Sequence, residues 1–98
     1  MFIHVVLMSF APETPVTFHS DVEEFASRIL RECDGLAHYL YGLNEAGRAG
    51  GFTHAVIGCF DDEAAHERYQ TSAAHQEMKI FMAERIEKLV VFDSSALS

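Results

Sequence analysis

Six histidines stand against only seven lysines and arginines in this chain of 98 residues. Imidazole is the side chain whose ordinary pKa lies near neutrality, so histidines that gather point to proton transfer. Two of them occupy equivalent places: His4 is the third residue of one β-rich run and His54 the third of another. If those runs are neighbouring strands with matched ends, both imidazoles emerge on one face at one level. His75 falls on the apolar stripe of a helical segment, or in its first turn. Tyr69 lies six residues earlier, across a break at Thr71-Ser72 that can swing both side chains to the same end of a sheet. A tyrosine beside an imidazole can donate to a developing oxyanion. Phe2, Val6, Val56 and Phe60 share the faces of His4 and His54 and would exclude water around a small apolar substrate. Each residue also has a plain alternative. A strand histidine can be a satisfied core or interface group, Tyr69 a packing aromatic, and His75 a cap or loop anchor.

His4, His54 and His75 could also supply three nitrogen ligands. No HxH or HxxxH spacing and no close carboxylate supports them, so no metal is expected. His19, His38 and His66 fall on polar faces and read as surface residues. Asp61-Asp62-Glu63 places acids where a helix N-terminus favours them and reads as capping. Cys33 and Cys59 lack metal-ligand spacing and read as reduced, largely buried thiols, with Cys59 on the strand face opposite His54. The glycine-rich stretch Glu45–Gly51 is followed by no Lys-Ser/Thr and no helix, so it reads as a hairpin loop and not a phosphate loop.

These residues need elements to hold them. Phe2–Phe10 is a β-rich run with a breaker after it. Its even face is Phe2, His4, Val6, Met8 and Phe10, and its odd face Ile3, Val5, Leu7 and Ser9; neither is a solvent face. Thr14-Pro15 starts a helix, with Ser20-x-x-Glu23 as a second possible start. Phe18, Val22, Phe25, Ile29 and Leu30 recur at helical spacing until Gly35. Leu36–Asn44 predicts a second strand with Ala37, Tyr39, Tyr41 and Leu43 on one face, and Phe52–Phe60 a third. A short helix to Tyr69 and another from Ala73 follow, the latter carrying His75, Met78, Met82 and Ile86 on one stripe. Leu89–Asp93 is the fourth strand and Ser94–Ser98 a tail. The order β-α-β-β-α-β predicts an α+β, ferredoxin-like sandwich with an antiparallel sheet and helices on one face. Strands one and three are expected side by side at the centre, running parallel with each other.

The composition sets further limits. A chain of this length is one domain, residues 1–98. A net charge of −8 repels phosphate backbones and anionic lipid, so neither nucleic acid nor a membrane surface is an expected partner. No apolar run approaches the roughly 18 residues of a membrane span, and Met1–Phe10 lacks the charged start of a secretion signal. The expected setting is cytoplasmic. With both faces of its best strands apolar, the sheet has more apolar surface than two helices can cover. A second copy of the chain on the other face is the simplest solution, giving a homodimer closed into a barrel.

Several of these features occur together in one known family. The early strand histidine in Ile3-His4-Val5-Val6-Leu7 is one. Gly51-Phe52-Thr53-His54 leading into a strand ending Phe60-Asp61-Asp62 is another. Tyr69, Ala74-His75-Gln76 and Val90-Val91-Phe92-Asp93 complete the set, which resembles the stress-responsive A/B barrel family, or Dabb, over nearly the whole chain. The resemblance implies a ferredoxin-like protomer dimerising into an α+β barrel. Many members have no assigned activity, while one plant member is a polyketide cyclase that closes its substrate by intramolecular aldol condensation without metal or organic cofactor. By motif its working histidine and tyrosine fall on His75 and Tyr69, and its supporting pocket histidines on His4 and His54. The family often carries a His-Pro pair where Ser72-Ala73 stand here, which leaves the turn before His75 less rigidly preset. The reading from the sequence is therefore a homodimer with an apolar barrel pocket for a small hydrophobic molecule. His75 and Tyr69 would be catalytic, and His4, His54, Phe2, Val6, Val56 and Phe60 substrate-binding, with no cofactor. The alternatives are a non-catalytic stress-associated or ligand-binding oligomer, and a haem-handling or oxygenase protein, for which no axial-ligand signature is present.

Overall fold

The structure, a computed structural model, describes residues 1–95. Seven elements follow in order: β1 (Phe2–Phe10), α1 (Val16–Glu32), β2 (Leu36–Leu43), β3 (His54–Phe60), α2 (Glu63–Thr71), α3 (Ala73–Ala83) and β4 (Ile86–Ser94). The strands form one sheet in the order β2-β3-β1-β4, with all three neighbouring pairs antiparallel. This is the ferredoxin-like α+β sandwich that the element order predicts. The fourth strand begins earlier than its apolar run suggests, at Ile86. Of the expected tail, Ser94 closes β4 and residues 96–98 lie outside the described residues.

One expectation is overturned. β1 and β3 are neighbours at the centre, but they run antiparallel, pairing His4 with Gly58 and Met8 with His54. The reason is chain direction. The crossover through α1 returns the chain so that β2 runs parallel to β1, and the β2–β3 hairpin then reverses it. His4 and His54 therefore share a face but not a level. Four residues of β1 separate them, roughly 13 Å at the rise of an extended strand.

The helices cover the face that carries the even residues of β1. Phe18, Val22, Ala26 and Ile29 of α1, Ala65, His66 and Tyr69 of α2, and Ala74, Met78 and Met82 of α3 are all buried against it. On the sheet they meet Phe2, Val6, Met8 and Phe10 of β1, Tyr39 and Tyr41 of β2, and Val56 and Phe60 of β3. Fully burying one such side chain contributes about 1.5–3 kcal/mol, so this single layer carries most of the stability. Tyr39 and Tyr41 point inward as expected, but a register shift between Leu36 and His38 leaves Ala37 exposed, and Leu43 is exposed at the strand end. The opposite face, built from Ile3, Val5, Leu7, Leu40, Ile57, Val90 and Phe92 in register, is apolar, and among the described residues no element covers it.

The joints follow from local chemistry. Asp62 accepts from the Ala65 backbone N–H at 2.9 Å and caps α2, the capping expected of the acidic run. At the other possible start, Ser20 lies inside α1, which begins directly after Pro15. Gly35, at φ +82°, turns the chain from α1 into β2, and its carbonyl accepts from the Asp61 N–H at 2.8 Å. A Cβ there would lie 2.7 Å from that of Ala65. Gly35→Ala thus combines a left-handed penalty with a clash against α2, and should cost about 2–4 kcal/mol. Gly47→Ala, with open space around it, should stay within about 0.5 kcal/mol. Urea unfolding of the two variants measures the contrast; equal midpoints would refute it.

Candidate functional site

The break between α2 and α3 builds the centre of the site. Ser72 adopts an extended conformation, ends α2 and caps α3. Its hydroxyl donates to the Tyr69 carbonyl at 2.8 Å and accepts from the His75 N–H at 3.3 Å. One small side chain thus ties together the backbone of the two residues singled out for acid–base chemistry. Their rings lie 4.1 Å apart between centroids. The hydroxyl does the work that proline is expected to do at this turn.

His75 donates through Nδ1 to the Gln70 carbonyl at 3.2 Å. The carbonyl can only accept, which fixes the tautomer and leaves Nε2 with its lone pair free. Burial lowers the pKa of this imidazole below its ordinary value, the hydrogen bond to the Gln70 carbonyl opposes this, and the neighbouring Lys79, His4 and His66 act in the same direction as burial. His75 is therefore a neutral base at pH 7. Tyr69, 1% exposed, shares a 2.8 Å hydrogen bond with the hydroxyl of Tyr39. Burial pushes both phenols up, away from ionisation. Gly58 makes the pair possible, since a Cβ there would meet Phe60 at 2.9 Å and Tyr39 at 3.2 Å.

These groups form the polar end of a cavity of about 430 Å³. Val6, Met8 and Val56 make its floor, Met78 and Met82 one wall, and Ile86, Leu89 and Val91 the other. His4, Tyr39, Tyr69, His75 and Asp93 close the polar end, and the exposed Lys79 stands on the lining of α3. The volume and the mix of apolar walls with few polar groups are those of a small-molecule site. The cavity lies within one chain, between the sheet and α3. The physical reason is that α3 stops short of β4, leaving Leu89 and Val91 half covered.

The sequence-predicted residues divide accordingly. His4, Val6, Val56, Tyr69 and His75 line this cavity. Phe60 is buried beneath Tyr69, and Phe2 lies beyond the polar end, stacked on His66 at 4.6 Å. His54 stands at the far end of the sheet, stacked on His19 at 4.2 Å, with the His19 Nδ1 2.7 Å from the Tyr41 hydroxyl. The His4–His54–His75 ligand set is therefore not assembled, and His19 is half-buried and not a surface group. His38 is exposed, as expected. His66 is the larger correction: it is 4% exposed, with its ring 4.8 Å from that of His4. Asp93, which sequence reasoning passed over, accepts from His4 Nδ1 at 2.5 Å. Its signal was the alternation Leu89, Val91, Asp93 on one strand face; that of His66 was its place one turn before Tyr69.

The family model for the stress-responsive A/B barrel domain, Dabb, matches residues 2–96. The chain belongs to the Dabb family. Solved structures agree on the fold. A protein of Arabidopsis thaliana superposes with a TM-score of 0.85 at 18% identity, over 97% of this chain and 94% of that one. A dimeric ferredoxin-like protein of unknown function from Thermobifida fusca gives 0.82 at 19%, over 95% and 88%. A hydroxynitrile lyase from Passiflora edulis gives 0.82 at 18%, over 95% and 90%. No curated protein matches. Among the described residues of this Dabb chain, no helix is long and apolar enough to cross a membrane.

The site carries a cost in acid. His19, His54, His66 and His75 all have pKa values lowered, each first by burial. Below the ordinary imidazole value of 6.5 the unfolded chain takes up protons that the folded chain refuses. Stability present above that pH is therefore lost as pH falls through the lowered values. The urea midpoint should drop between about pH 7 and pH 5, and histidine C–H NMR titrations should place these four below the unfolded value. A midpoint that rises on acidification would contradict the assignment.

Proposed function

We propose that this Dabb protein is a small-molecule enzyme of the carbonyl-addition type, with His75 as general base and Tyr69 as oxyanion donor. One observation carries the reading: His75 has Nδ1 tied to a carbonyl and Nε2 free, beside Tyr69, at the polar end of an otherwise apolar cavity. A substrate with an apolar body along Met78, Met82 and Leu89 would present its carbonyl to this end. His75 Nε2 would take a proton from the carbon beside that carbonyl. Tyr69, itself receiving a hydrogen bond from Tyr39, would donate to the oxygen on which charge develops. His4, held by Asp93, would orient the substrate. Aldol-type cyclisation and isomerisation both begin with this step, and it draws only on the chain's own side chains. The same fold carries a hydroxynitrile lyase in Passiflora edulis.

A binding protein without turnover is the second reading. The observation that favours it is the Tyr39–Tyr69 hydroxyl pair: with Tyr69 as the donor of that bond, its proton is already committed to Tyr39. Deuterium incorporation from D2O into small diketones, followed by NMR, separates the two. Exchange should rise with pH to a plateau, with an apparent pKa below 6.5, because only neutral His75 accepts the proton. His75→Ala should slow it by roughly 10²- to 10⁴-fold, and Tyr69→Phe should lower the rate with little change in KM. Unchanged exchange in both variants would refute the catalytic assignment, and saturable binding without exchange would establish the second reading.

The uncovered sheet face supports a homodimer. Phe92, Val90 and Leu40 are 59%, 46% and 51% exposed on a single chain, in register with Val5, Leu7 and Ile57. A patch of this kind on a protein of net charge −8 is an association surface, and the relative from Thermobifida fusca is dimeric. His4 and His54 take no part in it, since both lie on the helix side, whereas the exposed His38 sits beside Leu40 on the bare face. The free thiols of Cys33 and Cys59 suit a reducing, cytoplasmic setting. In sedimentation velocity the protein should run as a dimer and Phe92→Glu as a monomer with an unchanged circular dichroism spectrum. A monomeric wild-type chain would overturn the dimer.

A further inference from the structure

We propose that His4, His66 and Asp93 form a binding site for a first-row divalent cation of the zinc type. The three residues come from β1, α2 and β4, and one ligand atom of each lies within 4.8 Å of the other two. His4 Nδ1 is 2.5 Å from Asp93 Oδ1, and His66 Nε2 is 3.9 Å from the same oxygen. Bond lengths of about 2.0–2.2 Å to zinc place ligand atoms about 3.0–3.4 Å apart. The Asp93 carboxylate would open from His4 and His66 would close on it by less than about 1 Å each, and the two imidazole nitrogens, at most 4.8 Å apart, would close by up to about 1.8 Å. Both imidazoles are held for the purpose. The strand register sets His4 opposite Asp93, and Phe2 stacks on His66 and fixes its plane. The Asp93 carboxylate, on the edge strand and about a third exposed, is free to turn.

The donor set selects the ion. Two imidazole nitrogens and one carboxylate suit Zn²⁺ or Co²⁺, whereas Mg²⁺ and Ca²⁺ require mostly oxygen. Two imidazoles and one carboxylate also leave coordination positions open. The cluster forms the wall between two depressions. Outward lies one of about 550 Å³, where Glu63 and Glu67 flank His66 and favour entry of a cation. Inward, His4 and Asp93 line the cavity that holds Tyr69 and His75. The Gln70 amide nitrogen, 3.2 Å from His66 Nε2, belongs to an exposed side chain and gives way on binding. When the ion binds, its bond to His4 Nδ1 replaces the proton now shared with Asp93, and that proton leaves to solvent. A bound ion would face the polar end of the cavity and polarise a substrate oxygen there. The site does not depend on His75 acting as a base, and its test reads binding alone.

Metal-free protein should be titrated with Co²⁺ by visible absorption and with Zn²⁺ by equilibrium dialysis and elemental analysis. The expected result is one ion per chain, with ligand-field bands of low-symmetry Co²⁺. Asp93→Asn, which keeps a side-chain oxygen to accept from His4, and His66→Gln should each weaken binding at least tenfold, and His54→Gln should leave it unchanged. Absence of saturable binding would overturn the proposal, and so would undiminished binding in the Asp93 variant. Mg²⁺ competing on equal terms would overturn the nitrogen-ligand assignment.

Discussion

The two-residue alternation of β1 is the constraint on which the rest of the molecule depends. β1 is hydrogen-bonded on both sides, to β3 and to β4. Its even residues lie under the helices and its odd residues on the bare face. A slip of one residue would carry His4, Val6 and Met8 to the outside together and replace the cavity floor with Ile3, Val5 and Leu7. The same register sets the partners: Val6 against Val56 and Val91, Met8 against Leu89, His4 against Asp93. The floor, one apolar wall and the ion pair at the polar end thus come from one pairing decision. That pairing sets the even residues of β1 against the buried sides of α1 and α3.

The second constraint is the interruption at Ser72. On an unbroken helix, side chains six residues apart differ by about 240° around the axis and by about 9 Å along it, so Tyr69 and His75 would face different surroundings. The extended Ser72 resets both the angle and the direction. Its hydroxyl then satisfies the end of one helix and the start of the next. The break costs little because both helices bury their apolar sides on the same sheet. The cap also explains why a proline is dispensable here: the turn is held by hydrogen bonds to its neighbours and not by ring stiffness.

What could be read from the sequence follows from which quantities are local. Periodicity placed every strand and helix and assigned His4 and His54 to one strand face, because parity needs no knowledge of neighbours. Their level could not be read that way. It depends on strand direction, which follows from the hairpin after β2, and the antiparallel pairing moves His54 to the other end. The Tyr69–His75 meeting was legible from the break. His66 was misread as a surface residue because α2 is short and its apolar side small, Ala65 and Tyr69 being its main apolar buried residues. Asp93 was invisible because its importance lies in facing His4 across a ladder whose register is set by distant residues. The position of the cavity was not legible either, since it arises from the gap between α3 and β4.

The environment also assigns the chemical roles. His4, Tyr39 and Tyr69 are buried at one end of an apolar cavity, with the buried His66 against His4, where an unpartnered polar atom would cost about 1–3 kcal/mol. Among the described residues no buried side-chain nitrogen or oxygen lacks a partner. The cluster is therefore stable only as a set, and each partner narrows what its neighbour can do. The paired phenols, pushed away from ionisation, can donate but do not serve as bases. His75, kept neutral by burial and held at Nδ1 by a carbonyl, can accept but holds no spare proton at Nε2. Donor and acceptor are thus separated by their surroundings and not by residue type. An apolar molecule entering from the Met78 and Met82 side meets them both at once, with His4 and its carboxylate behind.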